Sequence, residues 1–242
     1  MKYILFTLCF VGRLGIADDK FGKLLKDAKK EVEKVTGKGL SDETIGNGLK
    51  EALNAGVDEA VDQLSVDKGY LESPYKILIP EEAQTIISKV KIVPGFENVE
   101  RDLILKMNQA AERAAEKAGP IFLDAITGLS FQDALGLLMG KDDAATRYLE
   151  NQTADPLTVA FLPVIQSTLD EVNARTYWRD VVSAYNKIPF VKKMNPELDQ
   201  HVTEKALGGM FGLIEVKEKA IREEPALRTT QTLRDVFAQQ DK

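Results

Sequence analysis

Apolar residues recur three and four positions apart along nearly the whole chain, and that spacing restricts it to helices. Ile45, Leu49, Leu53, Val57, Val61 and Leu64 form one such stripe, with polar and charged residues between them. Phe21, Leu24, Leu25, Ala28, Val32 and Val35 form another upstream, closed by Gly37 and Gly39. Ser41 is placed to cap the second stripe. Asp42 and Glu43 stand in its first turn, where the positive end of the helix dipole favours acids. Further helices are predicted over 81–89, 97–118 and 121–129, then a brief one opened by the capping-box spacing Ser130-Phe131-Gln132-Asp133. Asp155-Pro156 reads as the start of the next helix, with proline at its first position, and Pro163 inside that helix should kink it. The last three are expected over 176–186, 198–223 and 230–238.

Only residues 69–80, GYLESPYKILIP, look extended, with Ile77 and Ile79 turned inward. The segment is too short to make a sheet alone, and at most it pairs with Lys91-Ile92-Val93 in a very short two-stranded β patch. No internal repeat or linker interrupts the pattern. The expected fold class is all-α: an irregular multi-helix bundle, a single domain over 18–242, with length enough to bury a core.

The first residues differ from the rest. Lys2 precedes an apolar run from Tyr3 to Gly12, and Gly15-Ile16-Ala17 offers small residues for cleavage after Ala17. The run is too short to span a bilayer, so residues 1–17 read as a signal peptide and the protein as periplasmic or secreted. A buried N-terminal helix is the plainer alternative, and Arg13 sits awkwardly for a signal. Lipidation at Cys9 is a lesser alternative, because Phe6-Thr7-Leu8 is a poor context for it. Loss of Lys2 and Arg13 would leave 30 basic residues against 38 acidic, net −8, and no cysteine. Such a chain must hold its fold without disulfides. Its acidic balance argues against nucleic acid and gives no help with anionic lipid headgroups.

Residue count narrows the chemistry. One histidine, His201, and no cysteine after residue 17 exclude Cys-His dyads and His- or Cys-rich zinc sites. There is no G-x-S-x-G elbow, phosphate-binding loop or dinucleotide fingerprint. Ser65-Val66-Asp67-Lys68 matches S-x-x-K without its companion motifs, and His201 reads as a partly buried helix residue. No catalytic residue, metal site or cofactor is expected. Whether the protein is an enzyme stays open, with the balance against it; Asp142, Asp143 and Glu204 would be its only plausible general bases.

Two stretches merit a site reading. In MGKDDAATRYLENQTADP, residues 139–156, Asp142 or Asp143 can cap a helix and Asp143 can pair with Arg147 four residues on. A calcium site there would need about six oxygen ligands, and the stretch supplies about three. In ALGGMFGLI, Gly208 to Gly212 forms a G-x-x-x-G whose missing side chains allow close helix packing, or leave a groove for an apolar ligand lined by Met210, Phe211 and Leu213.

Several stretches also resemble one bacterial family: GLKEAL (48–53), NQAAERAAEKA (108–118), IFLDAI (121–126), GKDDAATRYL (140–149), YNKIPFVKK (185–193), VTEKALGGMF (202–211) and KAIREEPALRTTQTLRDVF (219–237). They run in order from about residue 40 to the end, and the family is domain of unknown function 4197. The resemblance implies an exported helical protein, often a lipoprotein among its relatives, with no catalytic residues to carry over. This chain departs in lacking a usable lipobox.

The expected function is therefore non-enzymatic binding of an apolar or lipid-like ligand in a groove between helices. Its chain would lie beside Gly209, Phe211 and Gly212, and Arg147 or Arg228 would meet its head. The alternative is a structural or protein–protein interaction module of the cell envelope. The sharpest question is whether Asp142, Arg147, Arg222 and Arg228 converge: around an acid they make a structural clamp, around an empty cleft an anion site.

Overall fold

A computed structural model describes residues 41–90, 92 and 97–238. The leader at 1–17, Cys9, the helix expected over 21–35, and Lys91 and Val93 of the suggested β patch lie outside the described residues.

Nine α-helices occur among the described residues: α1 (Asp42–Leu64), α2 (Gln84–Val90), α3 (Val99–Ala115), α4 (Ala118–Gly128), α5 (Phe131–Leu138), α6 (Ala144–Asp170), α7 (Ala174–Tyr185), α8 (Leu198–Glu223) and α9 (Gln231–Phe237). Short 3-10 turns at Glu81–Ala83 and Pro225–Leu227 precede α2 and follow α8. The all-α reading holds.

The serine caps act locally. Ser41 accepts the Thr44 N–H at 3.1 Å, and Ser130 accepts the Asp133 N–H at 3.1 Å. Thr230 does the same for α9, accepting from Leu233 at 3.2 Å. Each satisfies a backbone donor that the first turn leaves without an intrahelical partner.

The expected start at Asp155-Pro156 is wrong. α6 runs unbroken from Ala144 to Asp170 with Pro156 and Pro163 inside it. The two prolines are seven residues apart, hence on one face, and both are exposed, as are Gln152 and Val159 one turn before them. The carbonyls of Gln152 and Val159 lose their helical donors where solvent is at hand. Leu149, Leu157, Phe161 and Ile165 on the opposite face are fully buried, and their packing outweighs two missing hydrogen bonds.

α6 is the central element. It packs along α3 and α8, with α4 against its side, while α1 crosses α4, α5, α8 and α9. One apolar core joins them, including Leu49, Met107, Phe122, Phe161, Met210 and Phe237. Phe122 and Phe211 meet edge to face with ring centres 5.7 Å apart. Ala110, Ala111, Ala114 and Ala115 are all fully buried, and their small side chains let neighbouring helices come close to α3; Ala118, at the start of α4, is fully buried as well.

Among the described residues no strand forms at 76–80. Ile77 finds its partner in a side chain instead. Asn108 on α3 accepts the Ile77 N–H at 2.9 Å and donates to the Ile77 carbonyl at 2.9 Å, replacing a neighbouring strand. One turn on, buried Glu112 accepts the N–H groups of Tyr70 and Leu71 at 3.1 and 3.3 Å. Among the described residues no single helix is long and apolar enough to cross a membrane. α4 and α5 together pass by length and composition, but they meet at an angle of 101°.

Candidate functional site

The C-terminal half of α8 gathers most of the charged residues singled out by sequence. Glu218 and Arg222 stand one turn apart on it, on the line that Leu207, Phe211 and Ile214 begin as core positions. Their side chains are 7% and 3% exposed, so an ion pair occupies a place that the helix pattern assigns to apolar residues.

Each end of that pair holds the end of another helix. Glu218 accepts the N–H groups of Ala145 and Thr146 at 3.1 and 2.7 Å and the Thr146 hydroxyl at 2.7 Å. It thereby caps the N-terminus of α6. Arg222 donates to the carbonyls of Leu138 and Leu137 at 2.9 and 3.0 Å, closing the C-terminus of α5, and to Glu218 at 3.0 and 2.8 Å. The carboxylate meets the positive end of one helix dipole and the guanidinium the negative end of another. The expectation that Asp142 or Asp143 caps α6 is overturned. Asp143 holds the cap position but its side chain makes no capping bond, and Asp142 is exposed.

Arg147 extends the same contact along α8. It donates to Glu215 at 2.8 Å and pairs with Glu150 on its own helix, while Asp143 lies 3.7 Å from its Nε. The i,i+4 pairing read from sequence is therefore the longest of Arg147's three ion pairs. Glu215 also takes Lys219, whose ammonium is held above its ordinary range by that hydrogen bond first.

Arg228 closes α8 itself. Buried at 2% exposure, it donates to the carbonyls of Ile221 and Arg222 at 3.0 and 2.8 Å. The Arg222 and Arg228 guanidinium groups both lie beside the Phe237 ring, 5.9 and 6.0 Å from its centre. So Arg222 and Arg228 converge on one ring. Arg147 docks on α8 one to two turns earlier, and Asp142 stands outside. The space between α1, α8 and α9 here is about 10 Å3, room for one water at most.

The second expected site, the glycine face of α8, is covered by the chain itself. A Cβ on Gly209 would stand 2.9 Å from Tyr75 Cβ and 3.0 Å from the Tyr70 ring; one on Gly212 would stand 3.0 Å from the Tyr75 ring. Gly208, the formal first glycine of the motif, faces open space. Tyr70 is fully buried and donates its hydroxyl to the Ala206 carbonyl at 2.8 Å, and burial pushes its pKa well above the usual range. The groove expected to take an apolar ligand beside Gly209, Phe211 and Gly212 is filled by residues 70–75, and Phe211 packs on Phe122.

Glu112 lies beneath that covering segment. Burial raises its carboxyl pKa above the ordinary value, with the Asp67 charge acting in the same sense. The N–H groups of Leu71, Tyr70 and Lys68 pull the other way without cancelling it. His201, partly buried on α8, lies 3.0 Å from the Leu78 carbonyl through Nε2, a contact that ties the same extended segment to α8.

Sequence reading missed Glu218, Asn108 and Glu112. Their common signal is a polar residue standing on an apolar face: Glu218 below Ile214, and Asn108 and Glu112 within the alanine stripe of α3.

Over residues 39–238 the chain matches the family described as protein of unknown function (DUF4197), and it belongs to that family. No curated protein and no solved structure matches it.

Proposed function

Proceeding from that family membership, we propose that the protein is an exported, non-enzymatic interaction module of the cell envelope, a rigid helix bundle that works through its exterior. The observation that carries this reading is the use made of its buried polar groups. Glu218 accepts five hydrogen bonds, three from α6 and two from Arg222, and Arg222 donates two more to carbonyls of α5. Groups so engaged hold helix ends together rather than face a substrate. The leader-like residues 1–17 support export.

An apolar or lipid-like ligand beside Gly209 and Gly212 would first have to displace Tyr75, which ranks that reading second. Two measurements test the proposal. Osmotic-shock fractionation with N-terminal sequencing should recover the chain outside the cytoplasm, beginning at Asp18. Native mass spectrometry after gentle purification should give the bare protein mass. A chain retained in the cytoplasm with Met1 in place overturns export, and a stoichiometric bound lipid restores the ligand reading.

A further inference from the structure

Glu204 and His201 take no part in the clamp of Glu218 and Arg222. They stand one turn apart near the start of α8 and line a hollow of about 210 Å3. Trp178 of α7, residues 193–195 of the connection to α8, and Pro80 complete its lining, so four separate stretches of chain meet around one space. Hydrogen bonds fix its walls. Trp178 donates its indole N–H to the Asn195 carbonyl at 3.2 Å, and the Asn195 side chain accepts the Glu197 N–H at 2.9 Å and donates to Gln200 at 3.0 Å. The Asn186 side chain donates to the Met194 carbonyl and accepts the Met194 N–H, each at 2.9 Å. His201 reaches the Leu78 carbonyl through Nε2 at 3.0 Å, two residues before Pro80. A site so braced is formed before anything enters it.

Trp178 and Met194 are buried, and with Pro80 they give the hollow its apolar walls. Two exposed residues, Lys193 and Glu204, bring opposite charges to the same lining. No ion pair joins them to each other or to a third residue among the described ones. The neighbouring charges are engaged or stand apart. Arg179 pairs with Glu197 at 2.9 Å, Arg175 with Asp170 at 2.8 Å, and Lys192 has an interaction of its own. Glu81, Asp180 and Lys205, on the adjoining turns, do not line the hollow. The lining therefore presents one ammonium and one carboxylate, beside an imidazole already bonded to the Leu78 carbonyl.

We propose that this hollow binds a small zwitterion, a free α-amino acid with an apolar side chain. Its ammonium meets Glu204, its carboxylate meets Lys193, and its side chain lies against Trp178, Met194 and Pro80. The balance of charge selects this class. A simple anion would be opposed by Glu204 and a simple cation by Lys193, whereas a zwitterion satisfies both. The size agrees, because drug-sized ligands occupy pockets of roughly 300–1,000 Å3 and this hollow is smaller. The inference goes beyond the reading of an interaction module and does not depend on export.

Trp178 is the only tryptophan in the chain, so its fluorescence and its indole N–H resonance come from the wall of this hollow. The full chain is titrated with free leucine, methionine and phenylalanine. Each is matched by its N-acetyl derivative, which lacks the ammonium, and its carboxamide, which lacks the carboxylate. At least one of the three amino acids should give a saturable shift with a dissociation constant of about 1 mM or lower. Its two derivatives should each bind about tenfold more weakly. Glu204→Gln should weaken the amino acid about tenfold and leave the N-acetyl derivative unchanged. Lys193→Gln should weaken the amino acid likewise and leave the carboxamide unchanged. A merely structural effect would weaken every ligand alike, and the thermal melts of both variants should match the native chain. No saturable shift with any of the three amino acids overturns the proposal. So does a derivative that binds as tightly as its parent, or an affinity that neither substitution changes. These outcomes read the same whether or not the chain is exported.

Discussion

Glu218 and Arg222, 2.8 Å apart on one face of α8, hold the start of α6 and the end of α5 respectively. The turn between those helices, residues 139–143, contributes no side-chain cap of its own, so a third helix supplies both closures. Removing one member strands the other in a buried place. Glu218→Ala or Arg222→Ala should each lower unfolding free energy by about 3–5 kcal/mol in urea titrations. The double substitution Glu218→Leu with Arg222→Met should cost less than the sum of the singles. Additive effects would mean that the two side chains act independently.

The glycines of α8 separate by what they face. Gly209→Ala should destabilise by about 1–3 kcal/mol, because its Cβ meets Tyr75 Cβ and the buried Tyr70 ring. Gly208→Ala, with nothing within 4 Å, should stabilise by up to about 1 kcal/mol through helix propensity. Thermal melts of the two variants should move in opposite directions.

Asn108 stands in for a strand partner of Ile77. Asn108→Ala leaves a buried N–H and a buried carbonyl unpaired, at about 1–3 kcal/mol for each group left unsatisfied. Hydrogen exchange should show the Ile77 amide losing its protection ahead of the α3 backbone. Unchanged protection at Ile77 would contradict this pairing.

Glu112 makes stability depend on pH in a defined sense. Its pKa is raised in the folded protein above the ordinary value of 4.5, so the folded state holds the proton more tightly than the unfolded chain. Its contribution is most favourable below 4.5 and is lost as pH rises from 4.5 through the raised value. Glu112→Gln lacks this dependence. The stability of the variant relative to the native chain should rise across that window and then level off. A difference that stays flat from pH 4 to 7 would show that Glu112 titrates normally.

What the chain states locally, it states well. The 3–4 spacing, the Ser41 and Ser130 caps and the limits of α8 all lie within a turn or two of sequence, and they survive folding unchanged. Arg222 and Arg228 are legible as candidates for a polar clamp with Asp142 and Arg147. Which partner each arginine finds is a matter of distance in space. Asp155-Pro156 carries a sound local start signal, but packing on both sides of α6 carries the helix through it. Asp143 is a good cap by residue type, and yet Glu218, 75 positions on, takes the role because α8 lies across the helix end. The glycine face of α8 promised close approach, and only the tertiary fold decided that Tyr75 would fill it. Backbone preference and periodicity are set by neighbours along the chain, and they determined the helices. The occupant of each helix end and groove depends on which distant segment arrives there, and that was decided by the packing of the whole bundle.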